Sequence, residues 1–269
     1  MSYHDHPATS ATKLKAALTL TGRGYRARHV DPNRAPFRPT DAMRQGSLVD
    51  LLLTQPDSFD RVYLVTSADG RTKEGKAIRA EAAAQGLELI SADWLENGLR
   101  IRDTLLTDLE IGPILRAALT TSQEPHFWTD ALGRDCRYMP DVETDTGGLW
   151  DLKKTRSAQA RAVVSQSYQL AYDVQLVHYA AGFTDRHGTA PSVVGLICWE
   201  WDAPHDCGLM VATDELLAMG HERREQAFAR IAEWETTDRW PSYGTSLLEP
   251  PAWRRDGKAQ PDTESIELF

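Results

Sequence analysis

Cysteine is scarce in this 269-residue chain: Cys136, Cys198 and Cys207 are odd in number and show no Cys-x-x-Cys spacing. That excludes a disulfide framework, a cysteine-rich zinc site and a four-cysteine iron–sulfur cluster. Long apolar runs are missing too, and no stretch approaches the ~20 residues that a membrane span requires. The opening MSYHDHPATSATK lacks the basic-then-apolar order of a secretory signal. A cytoplasmic protein with no membrane partner is therefore expected. No Walker loop, no His-Glu-x-x-His and no internal repeat is found, and Gly22-Arg23-Gly24 lacks the strand and helix context of a nucleotide fingerprint. An excess of positive charge is also absent, the formal net charge being −9.

Hydrophobic content of 41% and charged content of 26% are ordinary values, and the length is enough for a substantial core. The charge is unevenly spread. Lys13, Lys15, Arg23, Arg26, Arg28, Arg34, Arg38 and Arg44 face only Asp5, Asp31 and Asp41 in the first 49 residues. Arg71, Lys73, Lys76 and Arg79 form a second cluster, while acid concentrates over residues 214–235 and in the tail. A basic lining on an acidic body is compatible with this pattern.

Residues 8–22 read as a short helix capped by Ser10 or Thr12 and ended by Gly22. Three prolines make 29–41 an irregular connection, and 41–54 reads as a helix packing Leu48, Leu51 and Leu52 inward. Strand, helix and strand follow at 61–66, 76–85 and 87–90. Ser91 caps a helix ending near Asn97-Gly98, with further helix to Ala118 interrupted near Gly112-Pro113. Residues 123–129 read as a strand. The near-continuous apolar run 192–201 suits a central strand covered on both faces, pairing with 207–212. Thr213 caps a helix to about Trp234, a compact turn is expected at 240–244, and the tail from about Pro250 is charged and Pro-rich. The order gives an α/β fold, a mixed β-sheet flanked by helices.

The stretch that carries chemistry is CRYMPDVETDTGGLWDLKKT, residues 136–155. Asp145-Thr146-Gly147-Gly148 between two extendable runs reads as a hairpin turn. Alternation places Asp151 and Lys153 on one strand face and Leu152 on the other, and the hairpin brings Asp141 beside them. Two carboxylates and an ammonium at a strand end suit a hard divalent cation and a water held or activated by the lysine. On motif alone, a surface hairpin with solvated charges is the competing reading. Residues 158–182 read as one helix: Tyr168, Tyr172, Gln175 and Tyr179 fall within about 60° of arc, opposite Leu170, Val174, Val177 and Ala181. The Tyr/Gln stripe either closes a half-buried face or looks onto the cation site.

Together Pro140-Asp141, Asp151-Leu152-Lys153 and the following Gln175-x-x-x-Tyr179 resemble the PD-(D/E)XK nuclease superfamily, in particular its RecE-type exonuclease VIII branch of phages and prophages. Further points of likeness are Ser10 and Leu14, residues 42–46, 71–76 and 123–128, Glu200 with Pro204, and residues 240–243. The resemblance implies a restriction-endonuclease-like core. It implies a single nuclease domain over residues 1–249, with a helical part at 1–60 and a catalytic core at about 120–245, followed by the tail at 250–269, whose composition reads as loosely ordered. It also implies metal-dependent hydrolysis of DNA, digesting linear duplex 5′→3′ in recombination. Asp141, Asp151, Asp50 and the Leu152 carbonyl would hold Mg²⁺, or Mn²⁺; Lys153 would position or deprotonate water. Glu124 would be an outer ligand or anchor, and Gln175 and Tyr179 would hold the scissile strand or Lys153. A ring-shaped homo-oligomer and a single-strand annealing partner are implied as well. Two departures stand out: Asp50 where relatives carry histidine, and Met139 where they often carry arginine. Asp50 has a second reading as an exposed helix-face carboxylate. A related endonuclease, a single-strand nuclease and an inactive DNA-binding subunit are the alternatives.

Overall fold

The computed structural model describes Tyr3 and residues 6–245. Its centre is a four-stranded mixed sheet in the order β5-β6-β7-β8: Val142–Glu143, Gly148–Thr155, Val193–Glu200 and Cys207–Val211. β5 and β8 run antiparallel to their neighbours, and β6 and β7 are parallel. A parallel pair needs a crossover. Two helices provide it, α8 (Ala160–Gln169) and α9 (Tyr172–His187) in chain order. β7 is buried on both faces, as its apolar run requires. Val194, Leu196 and Cys198 pack towards α9 together with Leu149, while Ile197 and Trp199 pack with Trp150 and Leu152 on the other side.

The N-terminal half supplies α1 (Ala11–Thr19), the one-turn α2 (Gly22–Tyr25), a π-helical turn (Arg26–Val30) and α3 (Asp41–Thr54). The short α4 (Phe59–Val62) leads into β1 (Tyr63–Val65), and α5 (Lys73–Gln85) links it to β2 (Glu88–Ile90), its parallel partner. Next come α6 (Ala92–Thr107), α7 (Ile111–Arg116) and the antiparallel hairpin of β3 (His126–Thr129) with β4 (Asp135–Tyr138). α10 (Asp214–Thr237) closes the fold against α9 and α1. Side-chain caps set many helix starts: Ser10, Thr40, Thr72, Ser91 and Thr213 each accept a backbone N–H three residues on. Each such cap is worth about 1 kcal/mol.

The expected fold class holds, and the differences are local. Gly22 does not end α1. It opens α2, which Thr21 caps by accepting the Gly24 N–H, and it is glycine because Pro241 passes close: a Cβ would stand 2.5 Å from that ring. The expected strand at 61–66 shortens to three residues after a helical turn. α5 begins three residues earlier than expected. α6 runs through Gly98 to Thr107, since the glycine lets α3 approach; a Cβ there would lie 3.0 Å from Leu52 Cδ1. The break falls at Asp108, whose Oδ1 accepts the Glu110 and Ile111 N–H groups, and Pro113 sits in the first turn of α7, where it is tolerated. The strand at 123–129 starts only at His126. Residues 240–245 form no regular turn. The single helix expected over 158–182 is two, broken at Ala171, which is in the left-handed region (φ 52°) and fully buried. The tail expected from Pro250 lies outside the described residues. No helix among the described residues is long and apolar enough to cross a membrane.

Candidate active site at the open edge of the central sheet

β5 is only two residues long, so β6 loses its antiparallel partner beyond Trp150. The Asp141 side chain takes over: its Oδ2 accepts the Leu152 N–H at 2.8 Å. In a strand, a residue's N–H and C=O leave on the same side, so the Leu152 carbonyl also looks towards this edge. The turn residue Gly147 takes φ +83°, the conformation glycine permits at a hairpin. The hairpin expected from the sequence is thus present and sets Asp141 against β6.

Asp151 and Lys153 share the β6 face opposite Trp150 and Leu152. The Lys153 ammonium contacts Asp151 Oδ2. From α9, Gln175 Nε2 donates to Asp151 Oδ1 at 2.6 Å. Tyr179, one turn on from Gln175, packs edge-on to Tyr138 with ring centroids 5.7 Å apart. Tyr172 lies beneath the Lys153 ammonium, 5.3 Å from ring centre to nitrogen. The Tyr/Gln stripe therefore looks onto the site from Tyr172 to Tyr179. Tyr168 does not join it, because the break at Ala171 turns it away: it is exposed and stacks on Arg223.

Asp50 reaches the same space from α3. Burial, then the charges of Asp141 and Asp151, push its carboxyl well above the usual range, with Lys153 opposing. The exposed helix-face reading of Asp50 does not fit these neighbours. Glu124 behaves differently. It is exposed, its carbonyl accepts from Arg186 at 2.7 Å, and the carboxyls acting on Asp50 are Asp141 and Asp151. Its neighbour Gln123 points inward instead, Nε2 lying 3.4 Å from Asp141 Oδ1, on a backbone with φ 65°. A left-handed non-glycine residue beside a reactive group is a common mark of a functional loop.

Two participants were not singled out as site residues in the sequence. Lys15 of α1 donates to Gln175 Oε1 at 2.6 Å and stands 5.5 Å from the Tyr172 ring centre. Glu143, fully buried two residues beyond Asp141, accepts from Tyr138 Oη (2.7 Å), Thr121 Oγ1 (2.9 Å) and Arg186 Nη1 (3.1 Å). Those bonds anchor β5, and with it Asp141. The only warning of Glu143 was its place in a short extended run; Lys15 stood in the sequence only as one member of the N-terminal basic cluster.

The electrostatics are those of crowded anionic oxygens. Burial, then the neighbouring Asp151, raises the Asp141 carboxyl from 3.8 to about 7. Burial alone would lower Lys153, but Asp151 and Asp141 outweigh it and raise the ammonium. Burial and then Lys153 bring Lys15 down to about 8 against the pull of Asp151 and Asp141. Three carboxyls and one carbonyl on a sheet edge are hard donors suited to Mg²⁺ or Mn²⁺. Among the described residues no group of three His, Cys, Asp or Glu side chains is gathered as a finished cage; the Lys153 ammonium lies against Asp151. The donor set, with three carboxyls against the Lys153 ammonium, nevertheless fits a divalent cation.

Residues 11–247 match the description of a family of PDDEXK-like domains of unknown function (DUF3799). Among solved structures, a "putative exonuclease" from Eubacterium rectale is similar at a TM-score of 0.66 and 14% identity, over 95% of this chain and 97% of that one. At that identity the likeness is one of fold. A comparison with curated proteins gave no match.

Proposed function

The chain belongs to the PDDEXK-like domain family, and from that premise we propose that it is a divalent-metal-dependent deoxyribonuclease hydrolysing phosphodiester bonds at the β6 edge. The observation that carries this reading is the convergence of Asp141, Asp151 and Lys153, with Gln175 bonded to Asp151, along the open edge of β6. Asp141, Asp151, Asp50 and the Leu152 carbonyl would hold the ion, Mg²⁺ or Mn²⁺. When bound, such an ion polarises the phosphodiester and makes a coordinated water more acidic.

The chain's own groups do the rest. Lys153, held as an ammonium by Asp151 and Asp141, orients the attacking water and offsets negative charge building on the phosphorus-bound oxygens. Water adds to phosphorus as the bridging P–O bond breaks, leaving a phosphate monoester and a hydroxyl. Gln175 fixes Asp151, and Tyr179 backs Gln175 with its phenol, which burial and then Asp151 and Asp141 keep protonated. Gln123 steadies Asp141.

The finer reading is a RecE-type exonuclease digesting linear duplex DNA 5′→3′ in recombination, as a cytoplasmic ring with a single-strand annealing partner and one nuclease domain over 1–249. The pairing of Asp-x-Lys with a Gln-x-x-x-Tyr helix supports that branch. End-labelled linear duplex, closed circular duplex and single-stranded DNA, each with Mg²⁺ or EDTA, test it. Stepwise loss of linear duplex from its 5′ ends supports the exonuclease. Cutting of circles indicates an endonuclease, preference for single strands a single-strand nuclease, and binding without hydrolysis an inactive DNA-binding subunit.

A further inference from the structure

Lys15 is separated by 160 residues from the glutamine it meets. α1 delivers it there because Leu14, Ala16 and Ala17 pack into the core shared with α9 and α10, leaving Lys15 on the face towards β6. An ammonium has donors and no acceptor, so it can take only the oxygen of the Gln175 amide. That choice turns the amide's NH₂ towards Asp151 Oδ1, which it meets at 2.6 Å. The Asp151 carboxylate, which can only accept, and the Lys15 ammonium, which can only donate, thus hold the amide from its two ends, and without the ammonium its oxygen loses that anchor. Lys15 and Lys153 also bracket the Tyr172 ring, so two ammoniums stand among the carboxyls of Asp50, Asp141 and Asp151.

We propose that Lys15 is a positioning residue of the catalytic centre, fixing the Asp151 carboxylate through Gln175 and tempering the negative charge of the ligand cluster as its second ammonium. This rests on the metal-dependent nuclease reading above. The cost of burying Lys15 is visible in its proton affinity, drawn down to about 8 first by burial and then by Lys153. A half-buried ammonium bonded to an amide rather than a carboxylate is an expensive way to tie α1 to α9. A methionine of similar length would tie the two by packing alone.

The test uses Lys15→Met, Lys15→Arg, Gln175→Leu and the Lys15→Met/Gln175→Leu double variant in the full chain. Turnover is measured on linear duplex at saturating Mg²⁺, melting temperature by calorimetry, and Mn²⁺ binding to the protein alone by titration calorimetry. Lys15→Met is expected to lower kcat about 100-fold with KM within about threefold, the scale of a misplaced reactive group. The double variant should be no slower than the slower single variant, as expected of residues acting in series. Lys15→Arg, which keeps a donor, should recover most of the rate. Lys15→Met should melt no lower than wild type and bind Mn²⁺ about tenfold more tightly, one positive charge having left the cluster.

Wild-type turnover in Lys15→Met, multiplicative losses in the double variant, a lower melting temperature that tracks the loss of rate, or Mn²⁺ affinity unchanged or weakened would each overturn the proposal. If wild type releases no nucleotide with any divalent ion, the nuclease reading falls and the Mn²⁺ titration alone judges Lys15. If wild type is active and Lys15→Met equals it in every measurement, only the role of Lys15 falls.

Discussion

Asp141→Asn should inactivate the protein and, in the absence of metal, make it more stable. Asparagine keeps the shape and the acceptor for the Leu152 N–H but removes one of two neighbouring carboxyl charges. Burial and Asp151 raise the Asp141 pKa from 3.8 to about 7, so its ionised form is disfavoured in the fold. The sign follows from linkage: that penalty is absent below about pH 4, grows as pH rises, and is complete above about 7. At about 1.36 kcal/mol per pH unit, the span from 3.8 to about 7 caps the effect near ~4 kcal/mol. Redistribution of a shared proton and the nearby Lys153 ammonium reduce this to about 1–3 kcal/mol, or roughly 3–8 °C in Tm. The assay is thermal melting in EDTA at pH 5 and pH 8, repeated at pH 8 with Mg²⁺. The variant should gain at pH 8, gain less at pH 5, and lose its advantage when Mg²⁺ stabilises wild type by mass action. A lower Tm for Asp141→Asn in EDTA at pH 8 would contradict the crowding of the two carboxyls.

Asp50→His should weaken Mg²⁺ activation and enlarge the relative advantage of Mn²⁺, because it replaces a hard anionic donor by a neutral nitrogen; coincident Mg²⁺ and Mn²⁺ curves for wild type, Asp50→His and Asp50→Ala would remove Asp50 from the site. Glu124→Ala should leave turnover within about twofold, as for an exposed side chain, whereas Gln123→Ala should lower it about tenfold or more; the reverse order in a rate comparison would restore Glu124 to the site. Gly182→Ala should cost about 2–3 kcal/mol and several degrees in Tm, since its Cβ would overlap the Tyr138 ring, which thermal melting reads directly.

The parts of the site that could be read in the sequence are those carried by local patterns. A turn of period-two strands fixes which of Asp151, Leu152 and Lys153 share a face, and the Gly147 turn returns the chain to Asp141. Gln175 and Tyr179 follow from helical spacing within one helix. What was not legible depended on residues far apart or on conformations without a residue signature. Nothing in Leu170-Ala171 announces a left-handed alanine, so one helix was expected where two stand. In the loop before β3 no period tells which side chain turns inward, and Gln123 rather than Glu124 does. The length of α6 follows from the contact between Gly98 and Leu52, a pair 46 positions apart that only the tertiary fold brings together. Lys15 was hidden for the same reason.

The most direct measurement is the release of acid-soluble nucleotide from uniformly labelled linear duplex DNA by wild type, Asp151→Asn and Lys153→Met, with Mg²⁺ and with EDTA. Wild type should release nucleotide only with Mg²⁺, and both variants should fall by about 10³-fold or more while keeping the wild-type fold by circular dichroism. Release that persists in EDTA, or near wild-type rates in both variants, would contradict a metal-dependent nuclease centre at Asp141, Asp151 and Lys153.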